Sequence, residues 1–307
     1  METDSSFKRN DIYARVTDEI VRAIEAGVKD YKMPWHQGAG AGLPRNASTG
    51  NFYRGVNTVA LWASGQVRGY GQPYWATFLQ WEKLGAKIRR GEKAAVVVFY
   101  KREESSIDDE YRESARGPRS ILKGSFVFNA EQVDGWSYPE PIIYEDRTEK
   151  LQGVDSFIES LGADIRYGSK AASYNMTLDW IRMPERCQFV GTDTSTATEA
   201  FYSVILHELV HWSGHPIRLD RDLSGRFGTS AYAMEELVAE LGAAFLCADL
   251  GVSLNPRRDH AAYVASWLQV LQQQKTAIFT AASSSTAACR FLSELVMAKT
   301  NGVVCTT

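Results

Sequence analysis

Apolar positions recur at helical spacing close to the start of the chain. Ile12, Val16, Ile20, Ala23 and Ile24 share one face over residues 10–29, with Gly27 near the end. A second helix is expected from about Thr58 to Ser64, and a third starting at Tyr74–Trp81 and stopping near Gly85. Ala94–Tyr100 is rich in β-branched residues and reads as a strand, with Ser125–Asn129 as its return after a charged excursion at 103–119. The glycine-rich run 38–42 and the basic stretch Lys87–Gly91 read as loop and turn. Pro139-Glu140-Pro141 and the charged stretch Glu145–Lys150 suggest a domain boundary.

Beyond it the periodicity changes. A helix is expected over 151–161, then strands at Asp164–Tyr167 and Asp179–Pro184. Helices follow at 196–213, 233–250, 259–277 and 281–298. The pattern predicts an α+β protein of two domains, 1–140 and 151–307, joined by a 141–150 linker, each with its own core.

Composition narrows the class. The 307 residues are 44% hydrophobic and 23% charged, as in globular proteins, and no apolar run reaches the ~18 residues of a membrane span. The polar, acidic N-terminus lacks a secretory pattern. Four scattered cysteines form no C-x-x-C pair, which argues against a zinc knuckle and for a cytoplasmic location. The net charge of −3 conceals an asymmetry: residues 29–102 hold 12 Lys and Arg against three acids. The same segment carries twelve aromatics, and cations interleaved with rings suit single-stranded nucleic acid. Core packing accounts for most of those rings.

The chemistry concentrates in His207-Glu208-Leu209-Val210-His211, an H-E-x-x-H pattern on the helix beginning after Thr196 or Thr198. Three of the five histidines fall within nine residues. Imidazoles four apart share a helix face and can hold one divalent metal, while Glu208 lies where a base can take a proton from water. Zinc suits such ligands, although manganese or cobalt could substitute. A third ligand is needed. Ile217 occupies the place of the last histidine in the longer H-E-x-x-H-x-x-G-x-x-H pattern, and His215 falls two residues short. The better source is the next helix: Glu236 as ligand, with Glu240 one turn on to orient an imidazole. Glu235, about 100° around that helix, would serve only in another register. Tyr232 and His260 are candidate donors to an oxyanion, and the strand at Trp180–Met183 a candidate platform for an extended peptide.

Several stretches carry a family resemblance. Tyr53-Arg54-Gly55-Val56-Asn57, Tyr74–Gln80, Leu84–Lys93 and Phe128–Gln132 resemble the N-terminal domain of ArdC-type antirestriction proteins, which is shared with TraC-type primases of conjugative plasmids. His207–Trp212, Arg218–Arg221 and Glu235–Glu240 resemble the metallopeptidase-like domain of the same proteins, of gluzincin type. The resemblance implies single-stranded DNA binding by the first domain and protection of incoming plasmid DNA from host restriction endonucleases. A restriction-enzyme subunit is a possible protein partner, and no membrane is involved. Arg45, Tyr53, Arg54, Lys87, Arg89 and Arg90 are the candidate DNA contacts. Proteolysis does not follow from the resemblance. Two alternatives stand beside it: a zinc metallopeptidase whose first domain recognises protein, and a DNA-binding protein with a dormant metal site.

Overall fold

The computed structural model describes residues 4–27, 42–102, 120–137, 147–189, 196–223, 225, 229–252 and 260–303. Helix α1 (Asp4–Gly27) buries Val16, Ile20, Ala23 and Ile24, the face its spacing predicts. It lies against α2 (Val56–Arg68). Strand β1 (Arg45–Asn46) runs parallel to β2 (Tyr74–Ala76); β2 then pairs antiparallel with β5 (Ser120–Asn129), and β5 with β4 (Ala95–Arg102). A ribbon of β3 (Lys87–Ile88) and β6 (Val133–Asp134) stands beside this sheet.

Local chemistry moved some boundaries. The expected helix start at Tyr74 is instead strand β2, and α3 covers only Phe78–Lys83. Thr77 makes a capping box with Gln80, and that box starts the helix after the aromatic run. The basic stretch at Lys87 opens with a two-residue strand. Most of the 38–42 loop, the 103–119 excursion and most of the 141–150 boundary lie outside the described residues.

The second half opens with α4 (Arg147–Leu161) and a three-stranded sheet, β7 (Asp164–Tyr167), β8 (Ser173–Asn175) and β9 (Trp180–Met183). Its order is β7-β9-β8, with β9 central and β8 at one edge. Four helices follow: α5 (Ala197–Ser213), α6 (Ser230–Leu250), α7 (His260–Gln273) and α8 (Ala277–Val303). Helices α5 and α6 pack closely at Gly242, where an added Cβ would stand 2.7 Å from a Val210 methyl.

The core does not stop at the expected boundary. One hydrophobic cluster runs from Val16 and Ile20 through Trp62 to Leu209, Leu241 and Leu292. Tyr13 meets Phe279 edge-on with ring centres 4.6 Å apart, and Trp62 lies 5.8 Å from Phe245. The Thr17 hydroxyl donates to the Lys275 carbonyl at 2.7 Å, and Lys275 pairs with Asp18. A smaller cluster around Leu61, Trp75 and Val127 belongs to the first half alone. No helix among the described residues is long and apolar enough to cross a membrane.

Candidate metal centre

Helix α5 begins at Thr196, whose hydroxyl accepts from the Glu199 amide while the Glu199 carboxylate accepts from the Thr196 amide. This box fixes the register, and Ile205, Leu206, Leu209 and Val210 bury the helix. His207 and His211 therefore share a face turned toward α6. Their Nε2 atoms lie 3.1 Å apart. Glu236 on α6 brings its carboxylate oxygens to 3.5 Å from His207 Nε2 and 3.7 Å from His211 Nε2. One ligand atom from each of the three residues lies within 4.8 Å of the others.

The donor set fits a small divalent cation. Ligands ~2.0–2.1 Å from a tetrahedral zinc stand roughly 3.3 Å from each other, close to the separations found. Opposite each Nε2 is a carboxylate. His211 Nδ1 lies 3.1 Å from Glu235 Oε1, and because an ionised carboxylate only accepts, the ring nitrogen must donate. That leaves the Nε2 lone pair directed into the cluster. His207 Nδ1 faces Glu240 Oε2 at 3.6 Å. Two imidazole lone pairs and a carboxylate crowded together repel one another unless a cation sits among them.

When the two rings carry protons in place of a cation, burial pushes the Glu236 carboxyl up, but the His207 hydrogen bond, the His211 and His207 charges and a Tyr232 hydrogen bond outweigh it and hold it at about 2, so Glu236 is an ionised carboxylate in that state also. Burial also raises Glu235, and His211 and Arg221 outweigh that too. The Arg221 guanidinium grips both Glu235 oxygens, at 2.8 and 3.1 Å, and also donates to the Val210 carbonyl and the Ser213 hydroxyl.

A cleft of about 400 Å³ opens on this cluster, lined by His207, Glu208, His211, Tyr232 and Glu236 on one side and by Ser173 and Tyr174 of β8 on another. Glu208 is buried at its wall. The β8 hairpin is held by Arg218, which pairs with Asp179, donates to Tyr174 Oη at 3.2 Å and to the Trp212 carbonyl at 2.6 Å, and lies 3.9 Å over the Trp212 ring.

The strand platform needs correction, while His215 and Tyr232 stand where their spacing puts them. Trp180–Met183 is paired on both sides and cannot take a peptide strand; β8 is the edge strand beside the cleft. His215 stands outside the cluster, its Nδ1 accepting from the Ile217 amide at 3.2 Å. Glu235 meets the Nδ1 of His211, on the far side of the ring from the cluster. Tyr232 lines the cleft, whereas the His260 side chain lies outside the described residues. Arg221 lies in a stretch that carries the resemblance, but its pairing with Glu235 has no local spacing to announce it.

The candidate DNA contacts fall into three places. Arg45 stacks 4.3 Å over the exposed Phe52 ring, and the neighbouring Tyr53 hydroxyl turns inward to Asn46. Lys87, Arg89 and Arg90 sit together on β3 and the turn after it, all exposed, with Arg89 paired to Glu92 and Asp134. Arg54 lines a separate cleft with Asn57, Phe279 and Arg290.

Residues 152–284 match the family model described as zincin-like metallopeptidase, and residues 10–128 that of the N-terminal domain of the anti-restriction factor ArdC. Protein y4eC of Sinorhizobium fredii is 45% identical over 90% of this chain and 89% of its own length. A DNA primase TraC of Escherichia coli is 34% identical over 89% of this chain, which spans only 26% of that protein. Two crystal structures of the antirestriction protein ArdC from the R388 plasmid are similar to it. The metal-free form has a TM-score of 0.73 at 35% identity, covering 93% of this chain and 97% of that one. The Mn(II)-bound form has a TM-score of 0.71 at 36% identity, covering 92% and 97%. With an ArdC-type first half and a zincin-like second half in one α+β chain, this protein belongs to the ArdC antirestriction family.

Proposed function

We propose that the protein is an antirestriction factor that binds single-stranded DNA through its first half and holds one divalent metal through His207, His211 and Glu236. The observation that carries this reading is the likeness to ArdC of R388, which covers 97% of that chain and so takes in both halves at once. The basic, ring-rich segment 29–102 supports the DNA arm. The convergence of two Nε2 atoms and a carboxylate supports the metal arm. Zinc and manganese both suit the ligands, and a Mn(II)-bound form exists for ArdC of R388. The plasmid setting of that protein, and the TraC primases among the relatives, support incoming plasmid DNA as the object protected.

In the cleft the chain's own groups divide the work. Glu235 holds the His211 imidazole from behind by a hydrogen bond, and the Glu240 carboxylate faces the back of the His207 ring at 3.6 Å. In the peptide-cleaving reading Glu208 takes a proton from water as the water oxygen bonds to the peptide carbonyl carbon, and gives that proton to the amine nitrogen as the C–N bond breaks. Tyr232 donates its one hydroxyl proton to Glu236 and lines the cleft, so it serves an entering oxygen only by giving up that bond. A bound ion would polarise a carbonyl and acidify water. Protection by shielding DNA needs none of these steps; cleavage of a restriction subunit needs all of them. The second reading, a peptide-cleaving enzyme, is favoured by Glu208 in the cleft wall and the β8 edge beside it.

Wild type and Glu208→Ala, assayed in parallel for oligonucleotide binding, restriction protection and peptide hydrolysis, separate these readings. Shielding predicts that the variant protects and binds DNA as wild type does. Loss of protection with DNA binding intact would replace shielding by proteolysis. Failure of the wild type to bind single-stranded DNA would remove the DNA arm.

A further inference from the structure

Folding adds charge to the first half from outside segment 29–102. Arg15 and Arg22 are seven residues apart on α1 and so lie on one face of it, two turns from each other. Both are exposed and line a groove of about 470 Å³. Its other wall is made by the end of α2, by Lys93 and Ala94 leading into β4, and by Phe126 of β5.

Among the described lining residues, Glu19 is the one carboxylate against four cations. Glu19 is taken up by Arg68 at 3.7 Å, and Arg68 also donates to the Lys93 and Ala94 carbonyls. That pair builds the wall and cancels itself. Arg15, Arg22 and Lys93 make no ion pair with any described residue.

The floor carries a ring. Phe126 is 54% exposed, although Leu122 on the same strand face is buried and Gly124 between them lies against Ile12 of α1. The Arg15 guanidinium lies over one face of the Phe126 ring, 5.2 Å from its centre, so a base would use the other face of this half-exposed ring. A cation row with one open aromatic face is the pairing single-stranded nucleic acid uses, phosphates on the cations and a base on the ring. A duplex keeps its base faces inside the stack, so only an unpaired base reaches such a ring.

We propose that this groove is a single-stranded DNA track, in which Arg15, Arg22 and Lys93 hold phosphates of one strand and Phe126 stacks a base. It rests on the reading that the protein binds single-stranded DNA, and it places part of that binding on α1 and β5, which carry none of the expected contacts.

The test uses the full chain and a fluorescent oligothymidine, with anisotropy read across a salt series. Removing three phosphate contacts should lower the slope of log affinity against log salt by about 2, at ~0.7 per contact on a single strand. The Arg15→Ala/Arg22→Ala/Lys93→Ala variant should show that drop and bind at least about tenfold more weakly at low salt. Arg15→Lys/Arg22→Lys should keep the wild-type slope, and it tests the charges even if the alanine variant melts early. Phe126→Ala should weaken oligothymidine by about fivefold or more, the lower end of one stacked base, with its slope unchanged. A wild type that binds while the triple variant matches it in affinity and slope overturns the track and leaves DNA binding standing. A wild type that does not bind at low salt overturns DNA binding itself. Equal affinity of the wild type for oligothymidine and for a polyglutamate peptide marks a plain polyanion patch and also overturns the track.

Discussion

Replacing Glu235 is expected to weaken metal binding although Glu235 is not itself a proposed ligand. Its Oε1 accepts from His211 Nδ1 at 3.1 Å and from Arg221 at 2.8 Å, and both Glu235 and Arg221 side chains are only 11% exposed. Carboxylates that orient ligating imidazoles are worth about 10–100-fold in metal affinity, or roughly 1.4–2.7 kcal/mol. Glu235→Gln keeps one carbonyl oxygen for His211 but loses the charge facing Arg221, so the lower end, about tenfold, is expected. Glu235→Ala frees the imidazole and leaves a buried guanidinium without its counter-charge, so about 100-fold is expected. The carboxyl is held below its ordinary range, because His211 and Arg221 outweigh the upward push of burial. Its contribution to stability is therefore present above the unfolded pKa and is lost as pH falls through the lower folded value.

Competition between apoprotein and a chromogenic chelator for Zn(II), repeated for Mn(II) at one neutral pH, measures the effect. Melting of each apoprotein shows whether the fold survives. Glu240→Gln, which acts on the other imidazole from 3.6 Å, should fall with the lower group. A folded Glu235→Ala that binds either ion as tightly as wild type would refute the positioning role.

Two further outcomes follow from packing. Asp179 has φ 50 and takes charge-assisted bonds from Arg218 and a hydroxyl bond from Tyr174. Asparagine tolerates that backbone, so Asp179→Asn should keep the turn and lose about 1–3 kcal/mol in urea unfolding; an unchanged midpoint would count against it. Burial pushes the Asp179 carboxyl up, Arg218 and Tyr174 more than reverse this, and the stabilisation should fade as pH drops through the lowered value. Gly242→Ala drives a methyl into Val210 at 2.7 Å; overpacking there should cost about 1–3 kcal/mol, read in the same urea series, and a variant as stable as wild type would show that α5 and α6 can part.

The helix with its two histidines was legible because a four-residue spacing maps onto one face whatever the fold does around it. Glu236 was legible for a related reason: the apolar positions Leu237, Leu241 and Ala244 set the side of α6 that turns inward. The placement of Glu235 about 100° away was sound geometry, yet an imidazole has two nitrogens, and the offset that takes Glu235 from the ligand position brings it to the second one. Strand β8 was missed because Ser173-Tyr174-Asn175 has neither alternation nor β-branched residues; its pairing with β9 makes it a strand. The Thr77–Gln80 box was visible and marked the true start of α3, but the aromatic run before it was read as helix. Arg15 and Arg22 fell outside the window in which charge was counted, and only the packing of α1 against α2 brings them to Lys93.

The segment after α5 ties these observations together. Arg218 reaches the β8–β9 hairpin and Arg221 reaches α6, with Asp220 between them at φ 47 turning the chain. Two buried guanidiniums three residues apart thus set two walls of one cleft, and both also hold carbonyls near the C-terminal end of α5. The guanidinium contacts do not involve the ligand atoms, so removal of an ion leaves this frame in place and its strain falls on the three convergent side chains alone. Removal of a ligand is different. Helices α5 and α6 feed the core that also seats α1, through Leu209, Leu241 and their neighbours, and truncating His211 opens a gap between those helices and takes from Glu235 one of its partners. A His211→Ala variant can therefore disturb α1, and with it Arg15 and Arg22, without any DNA contact having been touched. Glu208 lines the cleft beside the three convergent residues but is not one of them. Glu208→Ala is for that reason the variant in which loss of cleft chemistry and loss of DNA binding can be read apart, and a ligand variant that loses both shows only that the two halves share a core.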